Sequence, residues 1–227
     1  MDAARHQLAE APLFAELPDA LLAQLAHESR VRRYPEGQIL CSEGDPGESL
    51  MVVEEGTVRI SRFSAGGQEV VLAVVDAPAA IGELALIDGK PRSATVTARS
   101  AVVVRVVPRR AVVALMQAEP SVALAMLRGL AAVVRASNER LADVLSLDVQ
   151  GRVAKWLLAR AAAHGAAHEG GVVIATGASQ GELALELGAT RVSINKALKN
   201  FERQGAIEVR RTEIVLRDAA LLAEYVY

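Results

Sequence analysis

The 227-residue chain carries 25 Lys and Arg against 27 Asp and Glu, a net charge of −2, so any nucleic-acid-binding surface must be a local patch rather than a global one. With 52% hydrophobic residues and only 3% aromatic ones, it is long enough for two modest domains with aliphatic cores. A single cysteine, Cys41, excludes an internal disulfide and the four thiolates of an iron–sulfur cluster.

No uncharged apolar run reaches the length of a bilayer span, and Met1-Asp2-Ala3-Ala4-Arg5 lacks the core of a signal peptide, so a soluble cytoplasmic protein with no membrane partner is expected. Residues 3–30 have helical spacing: Leu13-Phe14, Leu17, Leu21-Leu22 and Leu25 recur at three- and four-residue intervals. Pro18-Asp19 opens a second short helix, because proline suits a first turn. From Val31 to Pro108 the pattern changes to short strands: Val31–Tyr34, Gln38–Cys41, Leu50–Val53, Val58–Arg62, Val70–Val75, Ala94–Ala98 and Val102–Val107. Turns containing Gly37, Gly44, Gly47 and Gly56 separate them, which predicts a closed or sandwich-like antiparallel barrel.

Within this region, Gly82-Glu83-Leu84-Ala85-Leu86-Ile87-Asp88-Gly89-Lys90-Pro91-Arg92-Ser93-Ala94-Thr95 reads as a phosphate-holding turn. Gly82 permits a tight turn and close approach of a ligand. Glu83–Leu86 has the composition of a short helix whose first amides, Leu84 and Ala85 included, lack internal partners and attract an anion. Arg92 can grip two phosphate oxygens, Ser93 can donate one more hydrogen bond, and Glu83 can accept from a sugar hydroxyl. Taken singly, Glu83 and Arg92 would pass for a solvated surface pair; the ordered string describes a cyclic-nucleotide site.

Pro108 to Glu119 reads as a short helix, and Pro120-Ser121 opens a long one to about Leu145. Leu127, Leu130, Val134, Ser137, Leu141 and Val144 step by three and four, a coiled-coil seam that predicts a parallel homodimer. Ser137 interrupts the seam with Asn138 beside it: either a polar register-fixing position or a pair facing a ligand base at the dimer axis.

Leu147-Asp148 marks a boundary, with Asp148 capping a helix from Val149 to Ala163. Residues 164–178 read as a Gly- and Ala-rich loop with a short strand, Val172–Ala175, and make His164 and His168 solvated residues rather than a metal site. Ser179-Gln180-Gly181-Glu182 fits a capping box, followed by a helix Gln180–Leu187, a turn at Gly188-Ala189, and a second helix Arg191–Gln204 capped by Thr190. Ile207–Val209 and Ile214–Leu216 then form a hairpin wing. Arg191, Lys196, Lys199, Arg203, Arg210 and Arg211 outweigh Glu202 and Glu208, a local excess of +4. This predicts that the second helix enters a major groove with Arg191, Val192, Ser193, Asn195 and Lys196 near the bases. Lys199, Arg203, Arg210 and Arg211 are placed at phosphates, and Ser179, Gln180 and Thr190 at the helix starts beside them.

From about Leu13 to Leu216 the chain resembles the CRP/FNR superfamily of bacterial transcription regulators, through the cassette at 82–95, the segment Leu147-Asp148-Val149-Gln150-Gly151-Arg152-Val153 and the helix-turn-helix. The resemblance implies an α+β fold: a cyclic-nucleotide-binding β-barrel (jelly roll) over 1–119, a dimerisation helix over 120–147 and a winged helix-turn-helix over 148–227. Glu83 would hold the ribose, Arg92 and Ser93 the cyclic phosphate, and Gly82, Leu84 and Ala85 would shape the cassette. Ser137 and Asn138 match a pair that contacts adenine from both subunits. Cyclic AMP is the implied effector, with no metal, haem or iron–sulfur cluster. The implied partners are double-stranded DNA with two-fold related half-sites, a second copy of the chain and RNA polymerase. The chain departs from the family at two points: the cassette is one residue shorter than in the enteric receptors, and Val192 stands where a base-contacting Glu is usual, so the expected operator differs from a TGTGA half-site there. A response to cyclic GMP or to no nucleotide, and a regulatory module for a protein partner, stay open. No nucleophile–base pair, metal cluster or Walker loop suggests an enzyme.

Overall fold

The structure, a computed structural model, describes residues 2–11, 13–168, 170–175, 179–210 and 213–226. It divides into two compact units between Ala136 and Ser137.

In the first unit, helices α1 (Asp2–Glu10) and α2 (Asp19–Glu28) precede eight strands. One sheet has the order β1-β8-β3-β6, from Arg30–Tyr34, Val102–Pro108, Ser49–Glu55 and Ala79–Ile81. The other has the order β2-β7-β4-β5, from Ile39–Cys41, Thr95–Ala98, Thr57–Phe63 and Glu69–Asp76. Every pairing is antiparallel. The sheets are open rather than closed into a barrel: they face each other across a shared core containing Met51, Val53, Val58, Ile81, Val96 and Val104.

This packing explains the run Leu50-Met51-Val52-Val53. Successive side chains of a strand point to opposite faces. Met51 and Val53 enter the inter-sheet core, while Leu50 and Val52 enter a second core with Phe14, Leu22 and Leu25 of the N-terminal segment. Both faces of β3 are therefore covered and an unbroken apolar run is required. In β4 the Val-Arg-Ile-Ser-Arg alternation of the sequence is interrupted by a bulge between Ile60 and Ser61, which buries Ser61 and leaves Arg62 exposed.

A buried polar network ties the N-terminal helices to the sheet. Arg105 of β8 donates from Nε to Glu54 at 2.5 Å, and from its other nitrogens to Ser29 Oγ at 3.1 Å and Gln7 Oε1 at 3.2 Å. The Arg105 and Glu54 side chains are only 8% and 2% exposed. A charge pair this deep is costly to desolvate, and removing one partner strands the other.

The cassette helix α3 (Glu83–Asp88) follows β6, and α4 (Arg109–Ala118) leads into the 27-residue α5 (Pro120–Ser146). Val122, Ala125 and Met126 dock α5 on the first unit's second core; beyond them Leu127, Val134, Leu141, Val144 and Leu145 are exposed. By length and composition alone α5 is apolar enough to cross a membrane. Its docked N-terminal turns and the in-line Arg128 and Arg135, each costly at a bilayer centre, mark it instead as a helix anchored on a protein core.

The second unit contains α6 (Val149–His164), β9 (Ala166–His168), β10 (Gly171–Ala175), α7 (Gln180–Glu186), α8 (Arg191–Arg203), β11 (Ile207–Val209), β12 (Glu213–Leu216) and α9 (Ala219–Ala223). Its sheet runs β11-β12-β10-β9. Val153, Leu157, Ile174, Leu183, Ile194, Leu198, Phe201 and Leu222 form its core. The segment expected to be a loop with one strand carries two paired strands, Gly171 opposite His168. The capping box at Ser179 and Glu182, the Thr190 cap and the Asp148 cap all form as expected.

Glu54→Ala is expected to destabilise the chain by about 3–5 kcal/mol, because it leaves the Arg105 guanidinium buried without its counter-charge. Urea denaturation followed by circular dichroism measures this; a loss under about 1 kcal/mol would show that the pair is dispensable.

Candidate functional site

The 82–95 segment folds around one side chain. Gly82 has φ +87° and caps α3. A Cβ there would lie 2.0 Å from the Arg92 guanidinium, so both backbone conformation and space require glycine. Arg92 is 6% exposed. One terminal nitrogen donates to the Gly82 carbonyl at 3.1 Å, the other to the Ser49 carbonyl at 2.6 Å and to Ser49 Oγ at 3.2 Å.

The Arg92 backbone is clamped from the opposite side. Its N–H donates to the Asp45 carbonyl at 2.8 Å and its carbonyl accepts from Gly44 N–H at 2.9 Å. The 44–47 turn is itself seated against the cassette helix, since a Cβ at Gly47 would lie 2.4 Å from Ala85 Cβ. The rotamer and the backbone of Arg92 are therefore both held by neighbouring elements.

The charge of Arg92 is not answered. All its hydrogen-bond acceptors are neutral oxygens, no carboxylate pairs with it among the described residues, and its buried Nε has no partner. An unsatisfied buried N–H on a cation is among the costliest groups in a protein interior. A cavity of about 310 Å³ opens onto Arg92, lined also by Arg32, Tyr34, Cys41, Asp45 and Ser49. This cavity meets the predicted cassette residues only at Arg92; Gly82, Glu83 and Ser93 lie outside its lining. Burial pushes the Cys41 thiol above its ordinary pKa, and the Arg92 charge partly opposes this.

The other cassette residues are placed as follows. Glu83 is half-buried, Leu84 and Ser93 are exposed and Ala85 is buried. Ser137 and Asn138 lie on the exposed stretch of α5, in the second compact unit. Among the described residues no group of three or more His, Cys, Asp or Glu is placed to hold a metal ion. Ser49 and the Asp45 carbonyl escape a reading of the sequence because a serine on a strand and a backbone oxygen in a turn carry no local signal. Only the Gly44-Asp45-Pro46-Gly47 turn chemistry points to that region.

In the second unit, α7 and α8 form the helix-turn-helix. Ile194, Ala197, Leu198 and Phe201 bury one face of α8, and Arg191, Val192, Lys196, Lys199 and Arg203 are exposed or half-exposed on the other. Arg152 holds the turn between the helices, donating from Nε to the Leu187 carbonyl at 3.0 Å and from a terminal nitrogen to the Leu147 carbonyl at 2.9 Å. Several predicted contact residues are occupied within the protein. Thr190 Oγ1 and Ser193 Oγ lie 2.9 Å apart, and Asn195 donates to Gln180 Oε1 at 3.0 Å. Ser179 closes the capping box with Glu182. Arg203 donates to Asn200 at 2.9 Å, and Arg210 donates to Glu208 at 2.8 Å and Glu213 at 2.9 Å. Arg211 lies outside the described residues. Glu208 also accepts from Arg217 at 2.5 Å; hydrogen bonds from Arg210 and then Arg217 hold its pKa at about 2, well below the ordinary 4.5.

Residues 31–119 match the cyclic nucleotide-binding domain and residues 151–225 the Crp-like helix-turn-helix domain. The chain is 32% identical over 216 residues to the CRP-like cAMP-activated global transcriptional regulator of Mycobacterium tuberculosis, covering 95% of this chain and 96% of that one. It is 27% identical over 200 residues to the cAMP-activated global transcriptional regulator CRP of Salmonella typhimurium, covering 87% and 94%. Among solved structures, a transcriptional regulator of the CRP family from Thermus thermophilus is similar with a TM-score of 0.72 at 25% identity over 86% of this chain and 96% of that one. FixK2 from Bradyrhizobium japonicum superposes with a TM-score of 0.78 at 22% identity, covering 88% and 98%, a likeness of fold.

Two outcomes follow from this geometry. Gly82→Ala is expected to force Arg92 from its seat and strain the turn, weakening cyclic-nucleotide binding at least about 30-fold by calorimetry, a loss of roughly 2 kcal/mol. In the wing, the depressed Glu208 pKa contributes stability that is present above about pH 4.5 and lost as pH falls towards 2. Glu208→Gln should therefore flatten the acid limb of a melting-temperature profile in that window and leave it unchanged in shape near pH 7.

Proposed function

The chain belongs to the CRP family of cyclic-nucleotide-responsive, DNA-binding transcription regulators, and from that premise we propose that its effector is cyclic AMP and that it acts as a homodimer in the cytoplasm. The observation that carries the effector site is Arg92: a buried cation with no carboxylate partner among the described residues and one unpaired N–H, fixed in place by the cassette and the 44–47 turn. A cyclic phosphate supplies the missing charge, through charge-assisted hydrogen bonds from the guanidinium. The proposal assigns the ribose hydroxyl to Glu83, a further phosphate oxygen to Ser93 and the shape of the turn to Gly82, Leu84 and Ala85. The M. tuberculosis and S. typhimurium relatives are described as cAMP-activated, which favours adenine as the base.

The dimer rests on α5. Leu127, Val134 and Leu141 repeat at seven residues, and they and Val144 are exposed on a helix whose buried residues all lie near its N-terminal end. Such a stripe is the seam of a parallel coiled coil. In this proposal Ser137 and Asn138 interrupt the seam to meet the adenine edge from both subunits, which makes ligand occupancy an interfacial event. Cyclic AMP must bind the DNA-competent arrangement more tightly than the other, since equal affinity shifts no equilibrium. Two recognition helices then meet successive major grooves about 34 Å apart on two-fold related half-sites. The domain limits that fit this division of labour are 1–119, 120–147 and 148–227, and RNA polymerase is the proposed protein partner on DNA.

Isothermal calorimetry tests the site. The unaltered chain should bind cyclic AMP, and Arg92→Ala should weaken it at least about 100-fold, the loss of roughly two charge-assisted hydrogen bonds. Full affinity in Arg92→Ala would show that the phosphate is held elsewhere. Tighter binding of cyclic GMP than cyclic AMP by the unaltered chain would overturn the choice of base.

A further inference from the structure

The recognition helix α8 presents an apolar side chain where a phosphate-binding stripe would carry charge. Val192, Lys196, Lys199 and Arg203 step by four, three and four, so they share the face of α8 away from the buried Ile194, Ala197, Leu198 and Phe201. Val192 heads this stripe and is 64% exposed. It packs into no core of its own unit and is absent from the cluster that α8 builds with α6 and α7.

The polar residues around it are already engaged. The Ser193 hydroxyl sits 2.9 Å from Thr190 Oγ1, and the Asn195 amide donates to Gln180 at 3.0 Å. Asn200 donates to Gln150 at 2.7 Å. These bonds fix the pose of each side chain, and that of Asn195 uses one amide N–H and leaves its Oδ1 and second N–H outside it. Among the described residues the exposed Lys196 has no such bond, and neither do the two exposed groups that open α8, the Arg191 guanidinium and the Val192 isopropyl group.

Each has one natural complement in a major groove. Guanidinium pairs bidentately with guanine O6 and N7, and an apolar side chain has a single apolar target among the base edges, the C5-methyl of thymine. We propose that Val192 is a specificity-determining residue that reads a thymine methyl in each half-site, beside a guanine read by Arg191. This rests on the DNA-binding reading above and adds to it the base that the valine selects. Burying one methyl against another removes apolar surface from water without any hydrogen bond. The preference is therefore for a methyl group rather than for a base-pair hydrogen-bonding pattern, and 5-methylcytosine shares it.

The test uses the full-length chain with cyclic AMP. Duplexes enriched from a random library define the half-site, and each thymine in it is replaced singly by uracil, which removes only the methyl. One thymine per half-site, next to a guanine, is expected to lose about fourfold in affinity on that change, the effect of one buried methyl. Because Val192 is exposed, Val192→Ala leaves the fold of α8 intact; it should bind the thymine duplex several-fold more weakly and be indifferent to uracil. At the same position, exchanging T·A for C·G weakens binding, and 5-methylcytosine in that cytosine's place restores part of the loss. If every uracil substitution is silent with the unaltered chain, or the penalty is undiminished in Val192→Ala, the inference fails while the DNA-binding reading stands. If no duplex is enriched with or without cyclic AMP, both fail.

Discussion

A guanidinium buried beside a cavity, with no opposing carboxylate among the described residues, is the constraint around which the cassette is arranged. Arg92 hydrogen-bonds to the Gly82 and Ser49 carbonyls and the Ser49 hydroxyl, all neutral, and keeps one buried N–H unpaired. Folding alone would favour an apolar residue at such a position. In the proposed function that cost has a use, since the missing counter-charge would arrive with the ligand. The neighbouring features follow from keeping that cation in place. Gly82 has no side chain because the guanidinium lies against it, Gly47 has none because Ala85 does, and the 44–47 turn grips the Arg92 backbone on both its N–H and its carbonyl. Arg105 shows the contrasting solution in the same unit, where an equally buried guanidinium is answered by Glu54.

The second unit handles its polar groups the opposite way. Thr190 with Ser193, Gln180 with Asn195, and Glu208 with Arg210 and Arg217 are satisfied internally, and Arg152 binds the turn of the helix-turn-helix to the residues that precede α6. Internal satisfaction fixes the pose of α8 before DNA arrives, which lowers the ordering cost of binding. Cationic groups at phosphates would add a sequence-independent share of the affinity, which salt governs. Arg203 and Arg210 are held by Asn200 and by Glu208 and Glu213 through some of their N–H groups, and each guanidinium has further donors beyond those bonds.

What the sequence reveals and what it hides divide along physical lines. The cyclic nucleotide-binding domain over residues 31–119 is legible because Gly82, Glu83, Arg92 and Ser93 stand in an order that few other functions need; their individual roles belong to the proposal. Capping residues are legible because Ser179, Thr190 and Asp148 act on backbone three residues away. The partners of Arg92 are not, since two of its three acceptors are backbone carbonyls and Ser49 lies 43 positions distant. The strand β9 and helix α9 stay hidden because Ala166-Ala167 and Ala219-Ala220 have no periodicity to show; pairing with β10 and burial of Leu222 decide them. Barrel closure is not legible either, because strand spacing reports turns and not whether two edge strands meet. The engagement of Arg210 arises from Glu208, two residues earlier on its own side of the wing, and Glu213 across it, and a tally of charges along the chain treats that residue as free.

The unanswered charge of Arg92 is tested most directly by removing it while keeping its bulk. Urea denaturation of Arg92→Met and the unaltered chain, each with and without cyclic AMP, separates the cost of the cation from its use. The ligand-free variant should be as stable as the parent or more so, and the stabilisation of the parent, about 2.7 kcal/mol at ligand one hundred times its dissociation constant, should vanish in the variant. A ligand-free variant weakened by several kcal/mol that still gains the full increment from cyclic AMP would contradict the account, because Arg92 would then be a structural residue and the phosphate would be bound by other groups.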